Sequence, residues 1–159
     1  MRLCGTSDHS QSEHLLRTRA GVKISILYLD DDASHLELFQ EMFGSEYDVR
    51  TATTMAEALG LLAECAADII ISDQVMPEGT GTEFLRTAAQ LCPASYRVLL
   101  TGAVTVGEVL REVSAGIVQF FLRKPWTEGQ MRAVLERAAA YLDAAAKPPK
   151  RRGRKRQNN

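Results

Sequence analysis

The chain has little cysteine. Its three residues, Cys4, Cys65 and Cys92, are odd in number and far apart, with no C-x-x-C pair. This excludes a disulfide framework and a cysteine zinc site, and reduced thiols are expected. No apolar run approaches the roughly 18 residues of a membrane span. The first residues also lack a signal peptide's hydrophobic stretch, so a cytoplasmic protein with no membrane partner is expected. His9, His14 and His35 show no ligand spacing and are read as solvated. Glycines 79, 81 and 102 do not form a G-x-G-x-x-G loop after the first apolar run, which disfavours dinucleotide binding. What is abundant is ordinary: 45% hydrophobic and 25% charged residues in 159 argue for one globular domain with a single core.

The net charge of −1 hides a division, because residues 147–159 hold 7 basic and 0 acidic side chains. Removing those 7 from 19 basic residues leaves 12 against 20 acidic ones, a net of −8 for residues 1–146. An acidic body carries a basic tail. Residues 1–22, rich in Ser, Thr, His and Arg, are expected to be a mobile arm, residues 23–146 the domain, and residues 147–159 a disordered tail. Electrostatic contact of residues 147–156 with nucleic acid would be weak and without sequence preference.

From Lys23 the pattern is regular. Apolar runs at Ile24 to Leu29, Ile69 to Ile71, Val98 to Leu100 and Ile117 to Leu122 alternate with longer stretches of helical period. Continuous hydrophobicity predicts parallel strands covered on both faces, whereas the alternating Tyr47 to Thr51 predicts a half-covered edge strand. Five capping-box spacings mark helix starts: Ser34 with Glu37, Thr54 with Glu57, Thr80 with Glu83, Thr105 with Glu108 and Thr127 with Gln130. The order is therefore (βα) five times, an α/β protein with a doubly wound parallel sheet.

Such sheets bind ligands outside the carboxyl ends of their strands, so the residue that ends each run matters most. The runs give way to Asp30-Asp31-Asp32, to Ser72-Asp73, to Thr101 and to Arg123-Lys124-Pro125. Clustered carboxylates repel one another, and a hard divalent cation with oxygen ligands, Mg²⁺ above all, relieves this. A lysine and a hydroxyl beside that cation form a clamp for phosphoryl oxygens. The set is suited to metal-assisted phosphoryl transfer with one carboxylate as nucleophile.

At residues 23–143 the sequence resembles the receiver domain of two-component response regulators. The resemblance rests on ILYLDDD, DIIISDQVMPEGTG, VLLTGA and FFLRKPW in that order. It implies a flavodoxin-like sheet of strand order 2-1-3-4-5, with Asp73 as phospho-acceptor. It also implies Mg²⁺ held by Asp30, Asp31, Asp73 and the backbone carbonyl of Val75, with Asp31 direct and Asp30 mostly through water. Thr101 matches the switch hydroxyl, Phe121 the aromatic switch and Lys124 the lysine that bonds the phosphoryl group; Lys124-Pro125 is typically cis in this family. Asp32 is left as a helix cap. The partners implied are a sensor histidine kinase or phosphotransfer protein and a downstream protein met by the face from Thr105 to Ala144, and a homodimer is compatible. The protein would not be an enzyme beyond its own phosphorylation and dephosphorylation. The L-L-T-G and K-P-W variants resemble receivers found alone or joined to cyclic-dinucleotide phosphodiesterase modules, and a stand-alone regulator is expected.

Several positions depart from the family pattern. Ala33 stands where Pro is frequent and Gly102 where Ala is usual, both small. Val75 and Ala103 occupy positions whose side chains help place the attacking water in the family, and both are apolar, so slow loss of the phosphoryl group is expected. Two other readings remain: a nucleic-acid binder acting through the tail, and an aspartate-nucleophile phosphatase of the haloacid-dehalogenase type. The latter wants a second acid where this chain has Val75.

Overall fold

The computed structural model describes residues 21–103 and 105–147. The chain runs β1 (Ser25–Leu29), α1 (Ala33–Phe43), β2 (Asp48–Ala52), α2 (Met55–Glu64), β3 (Ile69–Asp73), β4 (Val75–Met76), β5 (Gly79–Thr80), α3 (Gly81–Leu91), β6 (Tyr96–Thr101), α4 (Val106–Ser114), β7 (Phe120–Arg123) and α5 (Glu128–Ala146). Five strands form one sheet of order β2-β1-β3-β6-β7, all neighbours parallel. This is the expected 2-1-3-4-5 order, renumbered by the short antiparallel hairpin β4–β5, which the sequence reading did not anticipate.

The interior strands β1, β3 and β6 are buried almost throughout because helices cover both faces. On one face Ile26 and Tyr28 of β1 pack with Phe39 and Phe43 of α1 and with Leu135 and Ala138 of α5. On the other, Leu27 and Leu29 pack with Leu62 of α2 and with Phe84 and Leu85 of α3. The period-2 alternation of side chains divides one strand between two cores. Complete burial of each Ile, Leu or Phe side chain here contributes about 1.5–3 kcal/mol. β2 lies at an edge, as its alternation predicted, but starts at Asp48 rather than Tyr47.

The last apolar run is only partly a strand. Gly116 adopts φ 71°, a left-handed conformation that glycine tolerates. The amides of Ile117 and Val118 then turn back to the Glu112 carbonyl of α4, and pairing begins only at Phe120. Four predicted helix starts hold, with Thr54, Thr80, Thr105 and Thr127 as N-caps, although at α2 Glu57 reaches back to the Thr53 amide, so its box is incomplete. The fifth does not. Asp32, not Ser34, caps α1, with its carboxylate accepting from the Ser34 amide at 2.9 Å. The Asp32 amide is itself bound to Asp30 Oδ1, which fixes the turn one residue pair earlier than the Ser34-Glu37 spacing suggested.

Candidate functional site

The backbone ladder carries the polar strand ends to one rim. Asp30 N–H donates to the Ala52 carbonyl, Gln74 N–H to Leu100 and Lys124 N–H to Thr101, so pairing persists past the apolar runs. β3 runs two residues beyond Ile71, which makes Asp73 its final residue rather than the first after it. There Asp73 is paired in register with Leu100, and Thr101 with Arg123.

Three carboxylates converge at this rim. One oxygen from each of Asp30, Asp31 and Asp73 can be chosen so that all lie within 4.8 Å of one another. Asp30 is buried at 1% exposure and Asp73 at 7%, whereas Asp31 is exposed. Lys124 Nζ donates to Asp73 Oδ1 at 2.9 Å and stands 3.7 Å from Asp30 Oδ2. One ammonium against three carboxylates leaves an excess of negative charge, and the ligand atoms are all hard oxygens, so the residues present fit a divalent cation. The Lys124-Pro125 peptide is cis.

The strand that ends in Asp73 is held closely from behind. Gly81 begins α3 so near β3 that a Cβ there would collide with the Asp73 carbonyl oxygen. Only glycine permits that approach. Ser72 Oγ donates to the Asp73 carbonyl at 2.9 Å. The neighbouring Gln74 accepts from both the amide and the hydroxyl of Thr82 at 3.0 Å, tying the turn to the start of α3. Val75 stands two residues past Asp73 with its side chain 78% exposed.

Thr101 is buried and its hydroxyl donates to the Ala103 carbonyl at 3.0 Å. Beside it a cleft of about 270 Å³ lies between α3 and α4, bounded by Gln74, Arg86, Leu99, Thr101, Glu112 and Phe121. Phe121 is half-buried against the aliphatic core. Arg86 bridges the cleft to Glu112 at 3.3 Å. Trp126, which follows the cis peptide, packs on Phe39 with ring centroids 6.5 Å apart.

Two residues of this rim escaped the sequence reading. Tyr28 is fully buried and its hydroxyl donates to Asp30 Oδ2 at 2.9 Å. His35, read as solvated and indeed exposed, also places Nδ1 at 3.0 Å from the same oxygen and Nε2 at 3.7 Å from Asp32. Spacing offered one signal: residues i and i+2 of a strand share a face, so Tyr28 points where Asp30 does. Burial, together with the Asp30 charge beside it, pushes the Tyr28 phenol far above its ordinary pKa, which keeps it protonated as a donor. His9 and His14, the arm before Gly21 and the tail beyond Lys147 lie outside the described residues. None of the described helices is long and apolar enough to cross a membrane.

Known proteins agree with this arrangement. The family model of the response regulator receiver domain matches residues 26–136. The hydrogenase transcriptional regulatory protein HoxA of Cupriavidus necator is 31% identical over 103 residues, covering 64% of this chain and 21% of that protein. The transcriptional regulatory protein ZraR of Salmonella typhimurium is 30% identical over 120 residues, covering 75% and 27%. This chain spans about a quarter of the length of these curated relatives. The signal receiver domain of an HD domain-containing protein from Pseudomonas fluorescens is similar at 26% identity and TM-score 0.70, covering 76% of this chain and 98% of that one. A CheY-like receiver from Methanospirillum hungatei shares the fold at 23% identity and TM-score 0.71, covering 77% and 98%. With the sheet order, the rim and the matched residues in agreement, the chain belongs to the receiver domain family of two-component response regulators.

Proposed function

We propose that Asp73 accepts a phosphoryl group from a histidine kinase or phosphotransfer protein and that the modified domain changes its binding face. The observation that carries this is the 2.9 Å contact of Lys124 Nζ with Asp73 Oδ1 at the end of the central strand. A carboxylate oxygen of Asp73 attacks the donor's phosphorus. The phosphorus–nitrogen bond of the donor phosphohistidine breaks, its electron pair leaves with the imidazole, and an aspartyl phosphate remains. Lys124 follows the transferred oxygens, exchanging a carboxylate partner for a phosphoryl one. Mg²⁺, held by Asp31, Asp73 and the Val75 carbonyl with Asp30 acting through water, would neutralise phosphoryl charge. Thr101 then leaves the Ala103 carbonyl for the phosphoryl group, and Phe121 turns into the cleft beside it. This shifts the population of α4 conformations and the face from Thr105 to Ala144. Leu110 and Val113, both exposed on α4, offer apolar surface to a partner there.

Turnover as a small-molecule phosphatase is disfavoured, because the exposed Val75 supplies no acid for a leaving group. The same Val75, with Ala103, gives attacking water no hydrogen bond. Val75→Asn should shorten the half-life of the phosphorylated form. A longer half-life would contradict this reading.

The direct test is intact-mass measurement after incubation with a small acyl phosphate and Mg²⁺. The parent should gain one acid-labile phosphoryl group and Asp73→Asn none. Labelling of the substituted protein would overturn the assignment. Cytoplasmic location accompanies this role, since kinase donors of this class act there. Contact of the basic tail with nucleic acid is a separate reading, tested by duplex binding of the full chain and of one ending at Ala146 at several salt concentrations. Equal affinities would remove it.

A further inference from the structure

The carboxylate of Asp30 is unusually occupied. It offers about four lone-pair positions. Oδ1 accepts from the Asp32 amide at 3.0 Å, and Oδ2 accepts from the Tyr28 hydroxyl at 2.9 Å and from His35 Nδ1 at 3.0 Å. His35 is the donor in this contact when the hydrogen sits on Nδ1. Three positions are thus filled by protein donors on both oxygens, and one is left. The donors approach from three elements: β1, the turn before α1, and α1 itself. Asp30 is 1% exposed, and rotating it away would leave the buried Tyr28 hydroxyl without its acceptor.

We infer that Tyr28 and His35 are specificity-determining residues that hold Asp30 out of direct, two-oxygen coordination and so set a preference for Mg²⁺ over Ca²⁺. The inference rests on the reading of this rim as a divalent-cation site. Mg²⁺ is small, demands octahedral geometry and retains several waters, so a fixed carboxylate with one acceptor position free suits it as the partner of a bound water. Ca²⁺ takes six to eight oxygens in flexible geometry and gains from a carboxylate that can close on it with both. With its two Oδ2 donors in place, Asp30 cannot close in that way. Asp31, exposed and free to adjust, gives no such discrimination. The neighbouring Lys124, 3.7 Å from Oδ2, further disfavours a second cation contact on that oxygen.

Calorimetric titration of the full chain with magnesium chloride and with calcium chloride tests this without any phosphodonor. Tyr28→Phe preserves the ring that packs edge-on to Phe39 at 5.0 Å, so folding is retained and only the donor is lost. Combined with His35→Ala, it should lower the ratio of the Ca²⁺ to the Mg²⁺ dissociation constant about tenfold, the usual scale for loss of an outer partner of a metal-binding group. His35→Asn keeps an N–H near the Nδ1 position and should leave the parental ratio. A merely structural role would change the melting temperature of Tyr28→Phe without moving the ratio. A ratio in the double variant within twofold of the parent overturns the inference. Absence of Mg²⁺ binding by the parent overturns the reading of the rim instead, so the two failures are distinguishable.

Discussion

The two ends of the central sheet each hold a cation, and they treat it differently. At the carboxyl end Lys124, its side chain 26% exposed, reaches carboxylates: Asp73 through one hydrogen bond and Asp30 across 3.7 Å. At the amino end Arg97 is 4% exposed and meets no carboxylate among the described residues. Its guanidinium instead donates to four backbone carbonyls, those of Ile117 at 2.9 Å, Ser95 at 2.8 Å, Gly116 at 3.0 Å and Cys92 at 3.3 Å. Burial pushes the pKa of that guanidinium down from its ordinary value, and arginine begins so high that the charge persists. A planar fork shared among several carbonyls of two loops fixes those loops. A single flexible ammonium on a replaceable anion can follow a transferred group. Under the proposed phosphoryl transfer the lysine end is the switchable one, whereas the arginine end ties its two loops to the sheet.

The largest effect expected from breaking this contrast is at the anchor. Arg97→Met should destabilise the protein by about 3 kcal/mol, because several buried carbonyls lose a donor at once. Arg97→Lys should recover less than half, since an ammonium cannot reproduce the fork. Urea denaturation measures both, and a loss under about 1 kcal/mol would remove the anchoring role.

At the other end Lys124→Met should cost only about 1 kcal/mol, as the contact is partly solvated. A divalent cation should diminish the cost by replacing the neutralising charge. The functional loss should be far greater than the stability loss: Asp73 still becomes phosphorylated, but amide chemical shifts along β6, α4 and β7 no longer change. Normal phosphorylation-induced shifts in Lys124→Met would contradict the clamp.

Another polar group sharpens the rule by lacking a partner among the described residues. The Tyr47 hydroxyl is buried and makes no hydrogen bond among the described residues, and burial pushes its pKa up to about 12. Tyr47→Phe should raise stability by about 0.5–1 kcal/mol in the same denaturation experiment. Destabilisation would show that the hydroxyl has a bonded partner.

The smallest effect concerns acid. The carboxyls of Asp32, Glu83 and Glu108 are all held below the ordinary range by capping hydrogen bonds, from Ser34, Thr80 and Thr105 respectively. The folded state then binds fewer protons than the unfolded chain. Their contribution is complete above the ordinary carboxyl range of about pH 4 and is lost as pH falls through the lowered folded values. Thermal midpoints between neutral and acid pH should fall less steeply for Glu83→Gln with Glu108→Gln than for the parent. Parallel curves would show that these caps contribute nothing to acid sensitivity.

Sequence by itself determined whatever depends on neighbours along the chain. Continuous apolar runs marked the interior strands, because a strand covered on both faces has no polar side. The Thr-x-x-Glu and Thr-x-x-Gln spacings marked α3, α4 and α5, because a capping box closes within four residues. The residues that end those runs named Asp30, Asp73, Thr101 and Lys124, since a parallel sheet brings its strand ends to one rim.

Tertiary structure alone decided which partner certain groups meet, distant along the chain for Arg97 and only five residues away for Ile117 and His35. Nothing along the chain singles out Arg97. Its burial follows from carbonyls nineteen and twenty residues away, held by the turn at Gly116. Ile117 and Val118 look like strand until α4 supplies the Glu112 carbonyl that takes their amides. His35 is exposed, as its lack of ligand spacing implied, but only the first helix, capped by Asp32, brings its ring onto Asp30. In each case the side chain or amide satisfies its hydrogen-bonding capacity with a group whose position is set by packing, and no local pattern encodes that position.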